Sequence, residues 1–218
     1  FDVVLSAALL APGIAASAPD RAIEAVVLTT AWSPSGIGGS VVMNYRPAVL
    51  YKDGSFSRDA ERALRADARI DGRWQRDGSG FVLQGADGKA QPVPAKMRAR
   101  PAAAGQTLEG AYRSLSGAGA AGTGVSTVAA FNTMQFSADG RVVLAQGAGA
   151  SGGGVTTRGT QSATARYQLD GHTITVTHDN GQREQRLFYL FPDSDRAVGV
   201  GARRRLHRAP APATCTPP

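Results

Sequence analysis

The chain has 218 residues, 42% of them hydrophobic and 6% aromatic, with 27 Gly, 12 Pro and one Cys. That length holds one large domain or two small ones and buries a sizeable core. The composition excludes collagen, a coiled coil and a disulfide-stapled mini-protein, and no apolar run approaches the roughly 18 residues of a membrane-crossing helix. A net charge of +7 and a pI near 10.2 raise the question of nucleic acid. The basic residues are nearly all arginine, with only Lys52, Lys89 and Lys96 as exceptions, a skew that GC-rich coding explains. Arg203, Arg204, Arg205 and Arg208 sit in the tail, and the rest of the chain is close to neutral. Its arginines are scattered among aspartates and do not form a basic stripe with stacking aromatics. No specific nucleic-acid partner is expected.

Residues 3–18, VVLSAALLAPGIAASA, form an apolar stretch ending in Ala16-Ser17-Ala18, followed by Pro19-Asp20. Small residues at the −3 and −1 positions are what signal peptidase accepts. Pro12-Gly13 in the middle argues against a buried helix. Residues 1–18 therefore read as a partial signal peptide that begins, on Phe1, inside the signal. A periplasmic or secreted location follows, in an envelope of the Gram-negative kind. No Cys stands at the cleavage point, so a lipid anchor is not expected, and lone Cys215 in the tail has no intramolecular partner.

Residues 19–90 read as an N-terminal β unit. Strands are predicted over 23–30 and 40–51, with a loop at 33–39 between them. Asp53-Gly54 marks a hairpin turn. Residues 57–70 predict the one short helix: Ser57 caps it, Glu61 and Arg65 pair at i,i+4, and Ala60, Ala63, Leu64 and Ala68 share a face. Strands over 72–76 and 80–84 flank Asp77-Gly78, and Asp87-Gly88 makes a further turn. Residues 91–106 are a Pro/Ala-rich connector. A second β unit spans 107–202, opening with a strand over 107–114 and a Gly/Ala-rich loop over 115–127. Strands over 131–137 and 141–144 surround Asp139-Gly140, and a second Gly-rich stretch covers 147–159. Strands over 165–169, 173–178, 185–191 and 197–202 follow, with turns at Asp170-Gly171 and Asn180-Gly181. Residues 203–218 are expected to be a disordered basic and Pro-rich tail. The halves share a weak pattern of hairpin, insert, aromatic strand and short apolar strand. The fold class is all-β and mainly antiparallel: either a two-half barrel, or a lipocalin-like or related small β-barrel preceded by a smaller β unit.

Leu108-Glu109-Gly110-Ala111-Tyr112-Arg113-Ser114, Phe136 through Asp139-Gly140-Arg141, Gly171-His172-Thr173-Ile174-Thr175-Val176 and Leu187-Phe188-Tyr189 together resemble small bacterial lipocalin-like domains over residues 107–201. In those domains an opening Gly-x-Trp/Tyr strand closes one barrel end, and here Tyr112 stands where Trp is usual. The resemblance implies a barrel and brings ligand binding into play, although a fold alone does not assign a function.

Catalytic and metal chemistry find little support. His172 and His178 share a strand face by parity but stand about 20 Å apart along an extended strand. His178 beside Asp179 reads as a solvated turn pair, and His207 lies in the tail. Gly149-Ala150-Ser151-Gly152-Gly153 lacks the strand and helix of a nucleophile elbow. The carboxylates Asp53, Asp77, Asp87, Asp139, Asp170 and Asp179 sit in turns that Asp favours. No catalytic residue, metal ligand or cofactor is predicted, and the reading leans away from an enzyme. The aromatics carry more: Trp74, Tyr112, Tyr167 and Tyr189 are candidates for a cavity mouth, with Arg113 or Arg166 meeting an anionic head group. The alternative is that these side chains simply pack. The favoured function is an exported, non-catalytic envelope protein that binds a small apolar or amphipathic ligand. The alternative is a periplasmic protein–protein module, an inhibitor or secretion accessory, that works through the Gly-rich segments. An open apolar cavity favours the first and a filled barrel the second.

Overall fold

The computed structural model describes residues 21–34, 41–119, 127–152, 155–194, 196–201 and 206–209. The expected signal peptide and Cys215 lie outside the described residues. The strand pairs of the described residues are antiparallel, arranged as a six-stranded sheet followed by a closed eight-stranded barrel.

The sheet is a meander of β1 (Ile23–Pro34), β2 (Val41–Tyr51), β3 (Ser55–Ser57), β4 (Gly72–Asp77), β5 (Gly80–Gly85) and β6 (Ala90–Val93). Its tight turns place Gly54, Gly78 and Gly88 at positive φ, where a side chain would be strained. After β6, a 3₁₀ turn at Ala95–Met97 returns the chain to β1. Arg98 bridges Val27 there, and the Ala99 amide donates to the Val26 carbonyl at 2.9 Å. The six strands are thereby nearly closed into a barrel around Ala25, Val27, Ala48, Leu50, Phe56, Phe81, Leu83 and Val93.

The helix expected over 57–70 is replaced by successive turns. Arg62, Arg65 and Ala68 donate to Asp59, Arg62 and Arg65, three residues back, and Asp59 also accepts from the Arg62 amide through its side chain. Buried Ala60, Ala63 and Ala68 offer too thin an apolar face to stabilise a regular helix. The buried Tyr51 hydroxyl also takes the Ala63 carbonyl, at 2.9 Å, as its acceptor.

The second barrel runs up and down through β7 (Gly110–Gly119), β8 (Thr127–Phe136), β9 (Arg141–Gly152), β10 (Val155–Asp170), β11 (Thr173–His178), β12 (Arg183–Leu190), β13 (Ala197–Val200) and β14 (Leu206–Arg208). It closes where β14 meets β7, with His207 opposite Arg113 and Arg208 opposite Tyr112. Two expectations are corrected here. Of the Gly-rich segments 115–127 and 147–159, residues 115–119, 127, 147–152 and 155–159 are strand, because neighbouring strands supply the hydrogen-bond ladder that side-chain propensity does not. Within the tail expected to be disordered, Leu206–Arg208 is a strand that fills an otherwise open edge. The connector over residues 91–106 is itself paired with both barrels. β6 lies partly within it, Arg100 pairs with Leu190, and Ala102 pairs with Gly171.

A third apolar cluster joins the barrels. Along β12, Phe188 and Leu190 face the second barrel's interior, while Leu187, Tyr189 and Phe191 face outward onto Val26, Leu28, Val49 and Tyr51 of the first. These strands are buried on both faces and so read as continuous apolar runs, Ala25–Leu28, Ala48–Tyr51 and Ala197–Val200 among them. Tyr189 lies flat over Gly199, its register partner on β13, and an added Cβ at Gly199 would fall inside the ring.

Candidate functional site

Period-two alternation aims one face of each strand into the second barrel. At one end that face carries Tyr112, Phe136 and Tyr167, stacked edge to face with centroids 5.6 and 4.8 Å apart. The Tyr167 hydroxyl accepts from the Leu108 amide at 2.7 Å and donates to the Leu108 carbonyl at 3.1 Å, tying the segment before β7 beneath the barrel. Burial pushes the ionisation of Tyr112 and Tyr167 upward, so both remain neutral phenols. This end is plugged.

Two residues further along each strand the lining changes. Val142 is followed on the same face by Leu144 and Gln146, Ala165 by Ala163 and Gln161, and Val176 by His178. Phe188 is succeeded by Arg186 and Glu184. Together with Met134 these side chains surround a cup of about 470 Å³. Arg186 and Glu184, two residues apart on β12, form an ion pair at its rim at 2.7 Å. The β11–β12 turn forms a low wall, with the His178 amide donating to Gln182, whereas β8, β9 and β10 continue beyond it. The cup is therefore apolar at its floor and polar at its rim.

The predicted site residues occupy four other places. Tyr112 and Tyr167 form the plug, and Tyr189 packs between the barrels. Trp74 belongs to the first barrel, with its indole N–H on the Tyr51 carbonyl at 2.8 Å and its ring against Phe81. Arg113 and Arg166 are exposed. The cup residues Gln146, Gln161, Ala163, His178, Glu184 and Arg186 were not singled out for binding. Their signal was the alternation itself, carried past the last bulky apolar residue of each strand.

Two further depressions lie outside the barrels. A cleft of about 1060 Å³ separates them, lined from one side by Arg21, Arg65 and Arg98 and from the other by His172 and Arg183. His172 precedes β11 and so parts company with His178, which lines the cup. Its Nδ1 lies 3.2 Å from the Phe188 carbonyl, and burial, opposed by that contact and helped by Arg98, lowers its pKa. An apolar groove of about 500 Å³ includes Leu28, Met43, Tyr45, Met97 and Phe191. It leads to Trp32, 70% exposed, and to exposed Val41 and Met43 on the β1–β2 arm. Among the described residues no three His, Cys, Asp or Glu side chains gather as a metal site.

No protein-family model matches the chain, and no curated protein or solved structure matches it.

Proposed function

We propose that this protein is an exported, non-catalytic binding protein of the bacterial envelope that holds a small amphipathic ligand in the cup of its second barrel. The observation that carries this reading is the change along the inward-facing positions, from a closed aromatic plug to an open lining of mixed polarity. Eight strands enclose room for one small ligand once the plug is passed, and a volume of several hundred Å³ suits a small molecule. Leu144, Met134 and Ala163 would receive an apolar portion, while Gln146, Gln161 and the Glu184–Arg186 pair would meet a polar head. That lining favours an amphipathic ligand over a wholly apolar one. Export rests on the N-terminal segment, and the resemblance to lipocalin-like domains supports the same function.

Native mass spectrometry of the chain exported to a periplasm tests the proposal. The expected result is an extra mass that is lost on denaturation and missing from a folded Ala163→Trp variant, whose indole fills the cup. A clean apo mass in every condition overturns it.

A protein partner is the second reading, favoured by the apolar strip on the β1–β2 arm. Thr30, Trp32, Met43 and Tyr45 continue the face that Leu28 presents to the second barrel, since Thr30 pairs with Tyr45 and Trp32 with Met43. A contiguous strip of this kind differs from a scattered exposed apolar residue. Trp32→Ser with Met43→Ser would then abolish capture of the envelope partner while leaving the fold and the cup unchanged.

A further inference from the structure

The cleft between the barrels is chemically unlike the cup. Its floor is the outer face of β10, β11 and β12, where strand register aligns Gln168, Thr175 and Gln185 side by side. These are neutral hydrogen-bonding groups in a row, each with donor and acceptor capacity. Above them stand arginines from both barrels. Arg21 and Arg65 are engaged with Asp53 and Asp67, at 3.4 and 3.0 Å, on the exposed surface. Arg98 and Arg183 have no carboxylate partner among the described residues. On the acidic side, Glu24 is held by Arg76 at 2.7 Å, which leaves Asp170 as the cleft carboxylate with no ion-pair partner among the described residues. Cationic charge therefore exceeds anionic charge over a floor built for hydroxyl groups.

We infer that this inter-barrel cleft is a second binding site, for an acidic oligosaccharide. Its hydroxyls would meet the Gln168–Thr175–Gln185 row and its acid groups would meet Arg98 and Arg183. Guanidinium forks suit the planar carboxylate of a uronic acid, and junctions between folded units are favoured places for ligand pockets. A bare anion would use the arginines and leave the row idle. The site is separate from the cup and stands whether or not the cup holds a ligand.

Calorimetric titration at low salt with tetragalacturonate and with a hyaluronan tetrasaccharide tests the inference, with tripolyphosphate as the anion that lacks hydroxyls. Arg98→Gln and Arg183→Gln are each expected to weaken the better saccharide about tenfold, and Gln185→Ala severalfold. Arg113→Gln and Arg166→Gln remove the same charge from exposed positions outside the cleft and should change affinity less than about twofold. Circular dichroism establishes that each variant is folded, and amide shifts on binding should centre on Thr175 and Gln185, leaving Gln146 and Gln161 unmoved. Two results overturn the site: neither saccharide binding up to about 5 mM, or Arg113→Gln and Arg166→Gln costing as much as the cleft variants. Tripolyphosphate matching the saccharides, with Gln185→Ala silent, overturns its assignment to a saccharide.

Discussion

The two barrels solve one packing problem at different widths. The six-stranded interior is occupied by Ala25, Val27, Ala48, Leu50, Leu83 and Val93 with two phenylalanines. The eight-stranded interior needs Tyr112, Phe136, Tyr167 and Phe188 to span it at the plugged end. Barrel diameter grows with strand number, so the same alternation of small and large residues that fills six strands leaves eight partly open. Where the aromatic layer stops, at Leu144 and Ala163, the wider barrel opens. Strand number and the depth of the aromatic layer together create the cup.

The largest expected effect breaks the junction on which the comparison depends. Gly199→Val drives a branched side chain into the Tyr189 ring between the barrels and should cost about 3 kcal/mol or more, or prevent folding altogether. In urea, wild-type signals from Trp74 in the first barrel and from overall β content should coincide; separate midpoints would show that the barrels unfold independently. Next comes the contrast between plug and cup. Phe136→Ala should destabilise by about 3–5 kcal/mol, and Leu144→Ala, at the half-buried boundary, by about 1 kcal/mol. Equal losses would mean that the cup is packed as tightly as the plug. Tyr167→Phe keeps the ring but orphans the Leu108 amide, and should cost about 1–3 kcal/mol in the same unfolding experiment.

The smallest effect is a pH dependence. The folded-state pKa of His172 lies below its ordinary value of 6.5. Below that value the unfolded chain binds more protons than the folded one, so stability falls as the medium is acidified. The melting temperature should drop between about pH 7.5 and about pH 5.5, and drop less in His172→Gln. Asp53 and Asp87 are also lowered, below the ordinary 3.8, chiefly by hydrogen bonds from Ser55 and Lys89. Their contributions are lost only at lower pH, outside this window.

Much of the fold was legible because turn chemistry is local. Gly54, Gly78, Gly88, Gly140, Gly171 and Gly181, each following Asp or Asn, all adopt positive φ. The strands around them were equally visible in β-branched and aromatic content. The helix expected at 57–70 failed because an Ala-lined face meets a packed barrel wall and a tyrosine hydroxyl competes for its carbonyl. The long Gly-rich strands were invisible because their stability comes from neighbours on both sides, which composition does not encode. The candidate site was less legible for a related reason: of the aromatic candidates Tyr112 and Tyr167 form the stopper, while Tyr189 packs between the barrels and Trp74 against Phe81 in the first.

The sequence by itself determined an antiparallel β chain, its tight turns and which residues of each strand share a face, since these depend on neighbours a few positions apart. Only the tertiary structure decided that eight strands close on the short β14, that the outer face of β12 is as buried as its inner face, and where the aromatic layer ends. Alternation of period two specifies faces; it does not count the strands in a ring or say what lies against its outer wall.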